Sequence, residues 1–272
     1  MSLAKRFPRI APVCALGLQA KRRLGWHFDS KKYAGRRTSD LLPFTIFRHQ
    51  SVLIRKLGSA DLRLQHNKVK NLKLASSRIN SVTIRPGETF SLWKLVGRPT
   101  ERKGYVEGLL LANGEVTSGI GGGLCQMANH LHWMFLHTPL IVTERFHHGF
   151  DAFPDSGRTV PFGTGATLFY NYVDLQCRNT TDTTFQITVW VTDQHLKGEI
   201  RSDREVPERY HIIERDHRFL RRAADNKHFR ANRIFRERRD TRTGQPLGEE
   251  LLMDNFCEMK YDPPAEAKVE TI

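Results

Sequence analysis

A chain of 272 residues that is 39% hydrophobic and 26% charged has enough apolar material for a buried core, which excludes wholesale disorder. Lys and Arg number 43 against 29 Asp and Glu, so the net charge of +14 favours anionic partners: nucleic acid, acidic lipid headgroups or an anionic polymer. No window reaches the roughly 18 apolar residues of a membrane span, and Cys14, Cys125, Cys177 and Cys257 are too far apart for a zinc-type pair or a dense disulfide framework, which suits a reducing compartment.

Met1 to Arg9 carries three basic residues, and Ile10 to Ala20 is mostly apolar, the outline of an export signal. Pro12, Gln19 and the cluster Lys21-Arg22-Arg23 interrupt that outline. The expected location is therefore cytoplasmic or peripheral to the membrane through basic surface contact, with export the lesser alternative. Residues 1–65 show no sustained period and are expected to be an irregular, basic, partly helical lead-in. Leu41-Leu42-Pro43 reads as a helix stop or a bend before an extended run.

From Asn67 the pattern sharpens. Val69, Leu72, Ala75 and Ile79 fall on one helical stripe, with Lys68, Lys70, Asn71 and Arg78 elsewhere, so a helix is expected over Asn67 to Asn80. Val82 and Ile84 read as a short strand. Arg85-Pro86-Gly87-Glu88 is a turn in which Pro fixes φ and Gly supplies a positive φ. Ser91 can cap a short helix through Val96 that Gly97 ends. Val106 to Ala112 and Glu115 to Thr117 flank Asn113-Gly114, a hairpin signal.

The hairpin delivers the chain into Gly119-Ile120-Gly121-Gly122-Gly123-Leu124-Cys125-Gln126, followed by an apolar helical pattern that stops before Pro139. Leu124, Met127, Ala128, Leu131, Met134 and Phe135 make its buried face. Cys125, Asn129 and His132 share a neighbouring stripe at i, i+4 and i+7. A cysteine in the first turn of a helix faces unpaired N–H groups and the positive end of the dipole, which lower a thiol pKa.

Ile141 to Phe146 is a strand candidate ending in His147-His148-Gly149. A Pro/Gly/Asp-rich loop from Asp151 to Gly165 follows. Ala166 to Cys177 reads as a strand with Leu168, Tyr170, Tyr172 and Asp174 on one face. Thr184 to Thr192 and Leu196 to Arg201 continue the sheet. Tyr210 to Arg215, Lys227 to Arg238 and Glu250 to Tyr261 alternate as antiparallel hairpin strands with one solvated basic face. Pro263 to Ile272 reads as a tail.

The expected fold is α+β: a central antiparallel sheet, a helix carrying the Gly-Gly-Gly-Leu-Cys-Gln start, and a β-rich basic C-terminal extension. Its parts are the lead-in 1–65, a core domain 66–202 and a hairpin-rich extension 203–272.

Three functional readings follow. In the leading one Cys125 is a nucleophile, a histidine at the strand end (His147 or His148) is its base, and Asp174 orients that base. Backbone N–H groups of Cys125 and Gln126 would form an oxyanion hole, giving a cysteine-dependent hydrolase or acyl-transfer enzyme. The rival is a non-catalytic binding module, in which Gly121, Gly122, Gly123, Gln126, Asn129, His147 and the basic surface hold an anionic cell-wall or peptide ligand. The third is nucleic-acid binding through the ten Lys/Arg between Arg215 and Arg239, residues that the solvated face of a hairpin explains better through their alternation. No metal is expected: His130, His132, His147, His148, Asp151 and Asp155 could supply ligands, but no His-Glu-x-x-His spacing occurs. No cofactor is expected either.

Pro86-Gly87-Glu88-Thr89-Phe90-Ser91, Gly121 to Gln126 and Glu144-Arg145-Phe146-His147-His148-Gly149 together resemble the VanW family. Ala166-Thr167, Asp174-Leu175 and Arg178-Asn179-Thr180-Thr181-Asp182 extend the match, which covers nearly the whole chain. In the family's Arg-x-x-His element the recurring histidine falls on His148, and the resemblance therefore favours His148 over His147 as base. It also implies association with bacterial glycopeptide (vancomycin) resistance and with peptidoglycan-related cell-wall chemistry.

Overall fold

A computed structural model of the protein describes residues 11–54, 62–112, 115–147, 149–151, 154–155 and 159–272. The fold is mixed α+β, with more sheet than helix. The N-terminal helix α1 (Ala11–Phe28) leads through β1 (Lys32–Tyr33) to β2 (Phe44–Val52), so residues 44–52, expected as part of an irregular lead-in, form a nine-residue strand. Its side chains alternate in exposure, and it pairs antiparallel with a strand far along the chain.

Helix α2 (Leu62–Ile79) starts earlier than its apolar stripe does. Leu72, Ala75 and Ile79 are fully buried as expected, but so are Gln65 and Asn71, and Lys68 is nearly so. Helix α2 then feeds β3 (Val82–Ile84) and β4 (Glu88–Ser91) through a turn closed by the Glu88 N–H on the Arg85 carbonyl. Gly87 occupies that turn at φ 77°, the conformation only glycine adopts without strain. In α3 (Leu92–Val96) the Ser91 hydroxyl accepts from the Lys94 N–H, and Gly97 at φ 70° ends the helix. A cap of this kind contributes about 1 kcal/mol.

The hairpin β5 (Glu107–Ala112) and β6 (Glu115–Ile120) pairs in the expected register; its Asn113-Gly114 turn lies outside the described residues. Helix α4 (Cys125–Leu136) buries Met127, Ala128, Leu131, Met134 and Phe135 and stops before Pro139. After it come β7 (Ile141–Glu144), β8 (Phe150–Asp151), β9 (Gln176–Arg178), β10 (Phe185–Val191) and β11 (His195–Ser202). The long strands β12 (Glu208–Arg221), β13 (His228–Asp240) and β14 (Pro246–Met259) close the chain with β15 (Val269–Thr271).

Three sheets organise these strands besides the β5–β6 hairpin. The order β2–β11–β10–β3 is antiparallel throughout. Helix α2 packs on β10, and α4 packs on β11 and β2, so the main core lies between this sheet and the two helices. A second sheet, β1–β4–β9–β7, flanks that core through Phe90, Leu175 and Cys177. The C-terminal sheet runs β15–β12–β13–β14–β8, and Ile234 and Met253 on it pack against Leu136 and Trp133 of α4.

Two strand expectations need correcting. Residues 166–175 are not a strand: the segment has no regular structure to Leu168, turns back on itself with Phe169 bridging Val173, and becomes a strand only at Gln176. The expected tail ends in β15, which pairs parallel with Phe219 to Arg221 of β12.

Candidate functional site

The glycine run is held tight by the protein's own atoms. A Cβ on Gly122 would stand 2.1 Å from the Gly108 carbonyl, one on Gly123 would stand 2.1 Å from Lys68 Cγ, and one on Gly121 would stand 2.6 Å from Pro99 Cβ. The loop therefore passes where only glycine fits, against β5 and α2 rather than around an open anion cradle. Asn71 of α2 fastens it: Nδ2 donates to the Gly122 and Val106 carbonyls, both at 2.9 Å, and Oδ1 accepts from the Val106 N–H at 2.9 Å. A fully buried amide needs such partners. Its sequence signal was its spacing, four residues before Ala75 and eight before Ile79, which places it on the buried side of α2.

Helix α4 uses its polar stripe in the same way. His132 Nδ1–H donates to the Thr164 carbonyl at 2.7 Å, Asn129 Oδ1 accepts from the Ala166 N–H at 2.6 Å, and the Leu168 N–H bonds to the Cys125 sulfur. The intervening peptides face the other way. Arg145 Nε donates to the Gly165 carbonyl at 2.8 Å, its Nη2 donates to the Gly163 carbonyl, and the Thr167 N–H donates to the Phe146 carbonyl at 2.7 Å. Residues 163–168 are thus stitched between α4 and the end of β7, even positions to one and odd positions to the other. Desolvation by burial lowers the Arg145 pKa to about 10. The arginine of the Arg-x-x-His element accordingly holds this loop.

The structure gives the catalytic candidates the following places. Cys125 is the first residue of α4 and is half-buried. Burial pushes its thiol pKa up, against the smaller lowering pull of the Leu168 N–H and its own N–H, so the expected lowering by the helix start is not met. The Gln126 N–H donates to the Gly123 carbonyl at 3.0 Å, and its side chain binds Ser51 Oγ and the Val52 carbonyl of β2. His148 lies outside the described residues, and His147 is exposed.

Asp174 is fully buried, with four donors aimed at it. Ser91 O–H donates at 2.5 Å, the Trp93 N–H at 3.0 Å, the Leu175 N–H at 2.9 Å and Gln176 Nε2 at 3.1 Å. None of them is a histidine. Desolvation raises its pKa to about 6 in spite of these bonds. The Asp174 carboxylate therefore ties the β4–α3 junction to β9.

The remaining acidic and basic candidates are also engaged. Buried Arg230 of β13 donates to Asp155 at 2.6 Å, to Asp151 at 3.3 Å and to His217 at 2.7 Å, and Tyr261 donates to Asp151 at 2.6 Å. This network pins the 151–165 loop to the C-terminal sheet. On the rest of that sheet Arg215 meets Glu249, Arg218 meets Glu270, Arg233 meets Asp216, Arg236 meets Glu250 and Arg238 meets Glu208.

A different surface keeps its charge. Lys70, Lys73 and Arg78 on the outer face of α2, with Arg98, Arg102 and Lys103 in the turn before β5, are exposed. Each lacks an ion pair among the described residues. Of these cations Arg78 and Lys103 line a cavity of about 130 Å³, together with Leu74, Ser77, Val96 and Tyr105. Sequence reading passed over it because its cations come from two separate stretches.

Residues 67–201, from α2 to β11, match the family model described as VanW like protein. The chain is 34% identical over 272 residues to the vancomycin B-type resistance protein VanW of Enterococcus faecalis, covering 98% of this chain and 97% of that protein. It is also 30% identical over 112 residues to the uncharacterized protein YoaR of Bacillus subtilis, covering 40% of this chain and 34% of that protein. No solved structure matches. The stitched loop, the glycine contacts and the Asp174 knot all fall inside the matched region, and with full-length identity of this order the chain belongs to the VanW family.

Proposed function

We propose that this chain acts in vancomycin resistance, which its Enterococcus relative is named for, and does so as a binding module for an anionic, peptidoglycan-related ligand of the cell wall. The observation that carries the reading is the uncompensated cationic face around Arg78 and Lys103. Cations without ion pairs beside a cavity lined also by the apolar Leu74 and Val96 and the hydroxyl-bearing Ser77 and Tyr105 suit a carboxylate or phosphate attached to a small aliphatic group. The internal ion pairs of the C-terminal sheet weigh against nucleic acid as the ligand, because most of those arginines already have counterions.

Titrating the protein with a soluble muramyl pentapeptide should give binding that weakens with salt. Arg78→Glu combined with Lys103→Glu should weaken it at least about tenfold, since two attractive charges become repulsive. Equal affinity of the double variant and the wild type would overturn this assignment of the site.

The cysteine-hydrolase reading is separated by alkylation. Iodoacetamide labelling of Cys125 against pH should show a midpoint above the usual value of about 8.5, unchanged in His148→Ala. A midpoint well below that, shifted upward by His148→Ala, would reinstate an activated nucleophile.

A further inference from the structure

Helix α1 docks by one face and leaves the opposite face bare. Arg22 forks onto Glu144 at 2.5 and 2.8 Å and donates to the Tyr172 carbonyl at 3.2 Å. Trp26, one helical turn on, packs against the core, and its carbonyl accepts from Lys94 Nζ. With 3.6 residues per turn this rotation sets Ala15, Arg22 and Trp26 inward. It turns Val13, Leu16, Ala20, Leu24 and Phe28 outward. The large ones are strongly exposed: Val13 67%, Leu16 61%, Leu24 58% and Phe28 84%.

A surface helix of a soluble domain ordinarily shows polar residues on that side. Here the stripe is apolar apart from His27, and Lys21 and Arg23 flank it, one on each side. From Ala11 to Phe28 the helix contains no acidic residue.

An apolar stripe bordered by cations is the pattern of a helix lying in a bilayer interface, its stripe at the acyl boundary and its cations on lipid phosphates. Charge decides between a bilayer and a second copy of the chain. A two-fold contact through this face would set Lys21 and Arg23 of one copy against the same cations of the other, whereas anionic headgroups neutralise both. The sequence just before the helix adds Lys5, Arg6 and Arg9 with no acidic residue. Among the described residues no helix is long and apolar enough to cross a membrane, so the contact is along the surface.

We propose that α1 seats the protein on an anionic lipid bilayer through Val13, Leu16, Leu24 and Phe28, with Lys21 and Arg23 contacting phosphates. This surface is independent of the Arg78–Lys103 cavity. The test is co-sedimentation of the full-length protein with vesicles of 70% phosphatidylcholine and 30% phosphatidylglycerol, and with pure phosphatidylcholine, the compositions being about those typical of such assays.

Binding should require phosphatidylglycerol and fall at least about tenfold in Leu16→Asp/Leu24→Asp, and by a similar factor in Lys21→Glu/Arg23→Glu or at about 0.5 M salt. Both variants alter exposed side chains and keep Arg22, and an unchanged near-ultraviolet circular dichroism spectrum verifies the fold. Absence of sedimentation with anionic vesicles would overturn the proposal, as would binding unaffected by Leu16→Asp/Leu24→Asp. Self-association of the lipid-free protein abolished by Leu24→Asp, without vesicle binding, would assign the face to a second copy instead.

Discussion

Acidification should unfold this protein between about pH 5 and pH 4, with uptake of more than one proton. Burial depresses the pKa of His130 and of His132 to about 3, and that of His137 to about 4. Each folded-state value lies below the unfolded value of about 6.5, so the stability these rings provide is complete above that pH and is lost as pH falls. At pH 5 the buried pair His130 and His132 costs about 2 kcal/mol each by linkage, and the partly exposed His137 about 1. Asp174 works the other way. Its folded pKa of about 6 lies above its ordinary value, so acid relieves about 1 kcal/mol of its desolvation. The net loss of about 4 kcal/mol is a large part of a typical domain's stability.

Tryptophan fluorescence followed from pH 7 downward should locate that transition between about pH 5 and pH 4. His130→Leu should move it lower by about half a unit. Its Nε2 has no hydrogen-bond partner among the described residues and its Nδ1 meets only the half-buried Ser51 hydroxyl at 3.5 Å, so replacing the ring removes a proton-binding site at the loss of one long hydrogen bond. A native spectrum retained at about pH 3.5 would refute the assignment of these rings as buried and neutral.

Much of the fold was legible where chemistry is local. The Ser91 cap, the Gly97 stop, the Pro86-Gly87 turn and the end of α4 before Pro139 are each set by a few adjacent residues, and the structure has them where the sequence puts them. Strand β2 was missed because Phe44–Val52 is an edge strand: Arg48 and Gln50 face solvent, and its partner β11 lies some 150 residues away in the numbering. β15 was missed because three exposed residues carry no pattern.

The error over residues 166–175 is more instructive. Alternation was present in the sequence, and the structure does alternate the partners of 163–168. The partners are side chains of α4 and Arg145 rather than a neighbouring strand. Period-two patterning reports that successive residues face opposite neighbours. It does not report that the neighbours are strands.

At the candidate site, sequence picked out the right helix and the right stripe, Cys125, Asn129 and His132. It could not show that the stripe is spent on backbone groups of residues 164–168, since that depends on where a distant loop runs. The glycines were read as room for a ligand, whereas Gly108, Lys68 and Pro99 fill that room. Asn71 and Lys68 were placed off the apolar stripe of α2, yet α2 buries both, against the glycine run.

Removing the Asp174 carboxylate should be the most damaging single change at the candidate site. In Asp174→Ala, Ser91 O–H, the Trp93 and Leu175 N–H groups and Gln176 Nε2 lose their acceptor in a fully buried place, which should cost about 4 kcal/mol. Asp174→Asn separates geometry from charge. Its amide oxygen can still accept from Trp93 and Leu175, and its NH₂ can donate to the Ser91 hydroxyl, but that NH₂ opposes the donor Nε2 of Gln176. About 2 kcal/mol should be lost, with the hydroxyl bond reversed and one donor orphaned. Asn also cannot ionise, so its deficit should shrink as pH rises through about 6, where the wild-type carboxylate takes on its desolvation cost. Urea melts at pH 5 and pH 8 measure both differences. A carboxylate whose task is to orient a histidine would show the reverse: little loss of stability in Asp174→Ala, together with altered iodoacetamide reactivity at Cys125. Stability loss in Ala, partial recovery in Asn and unchanged labelling would identify Asp174 as the knot that holds the second sheet to α3.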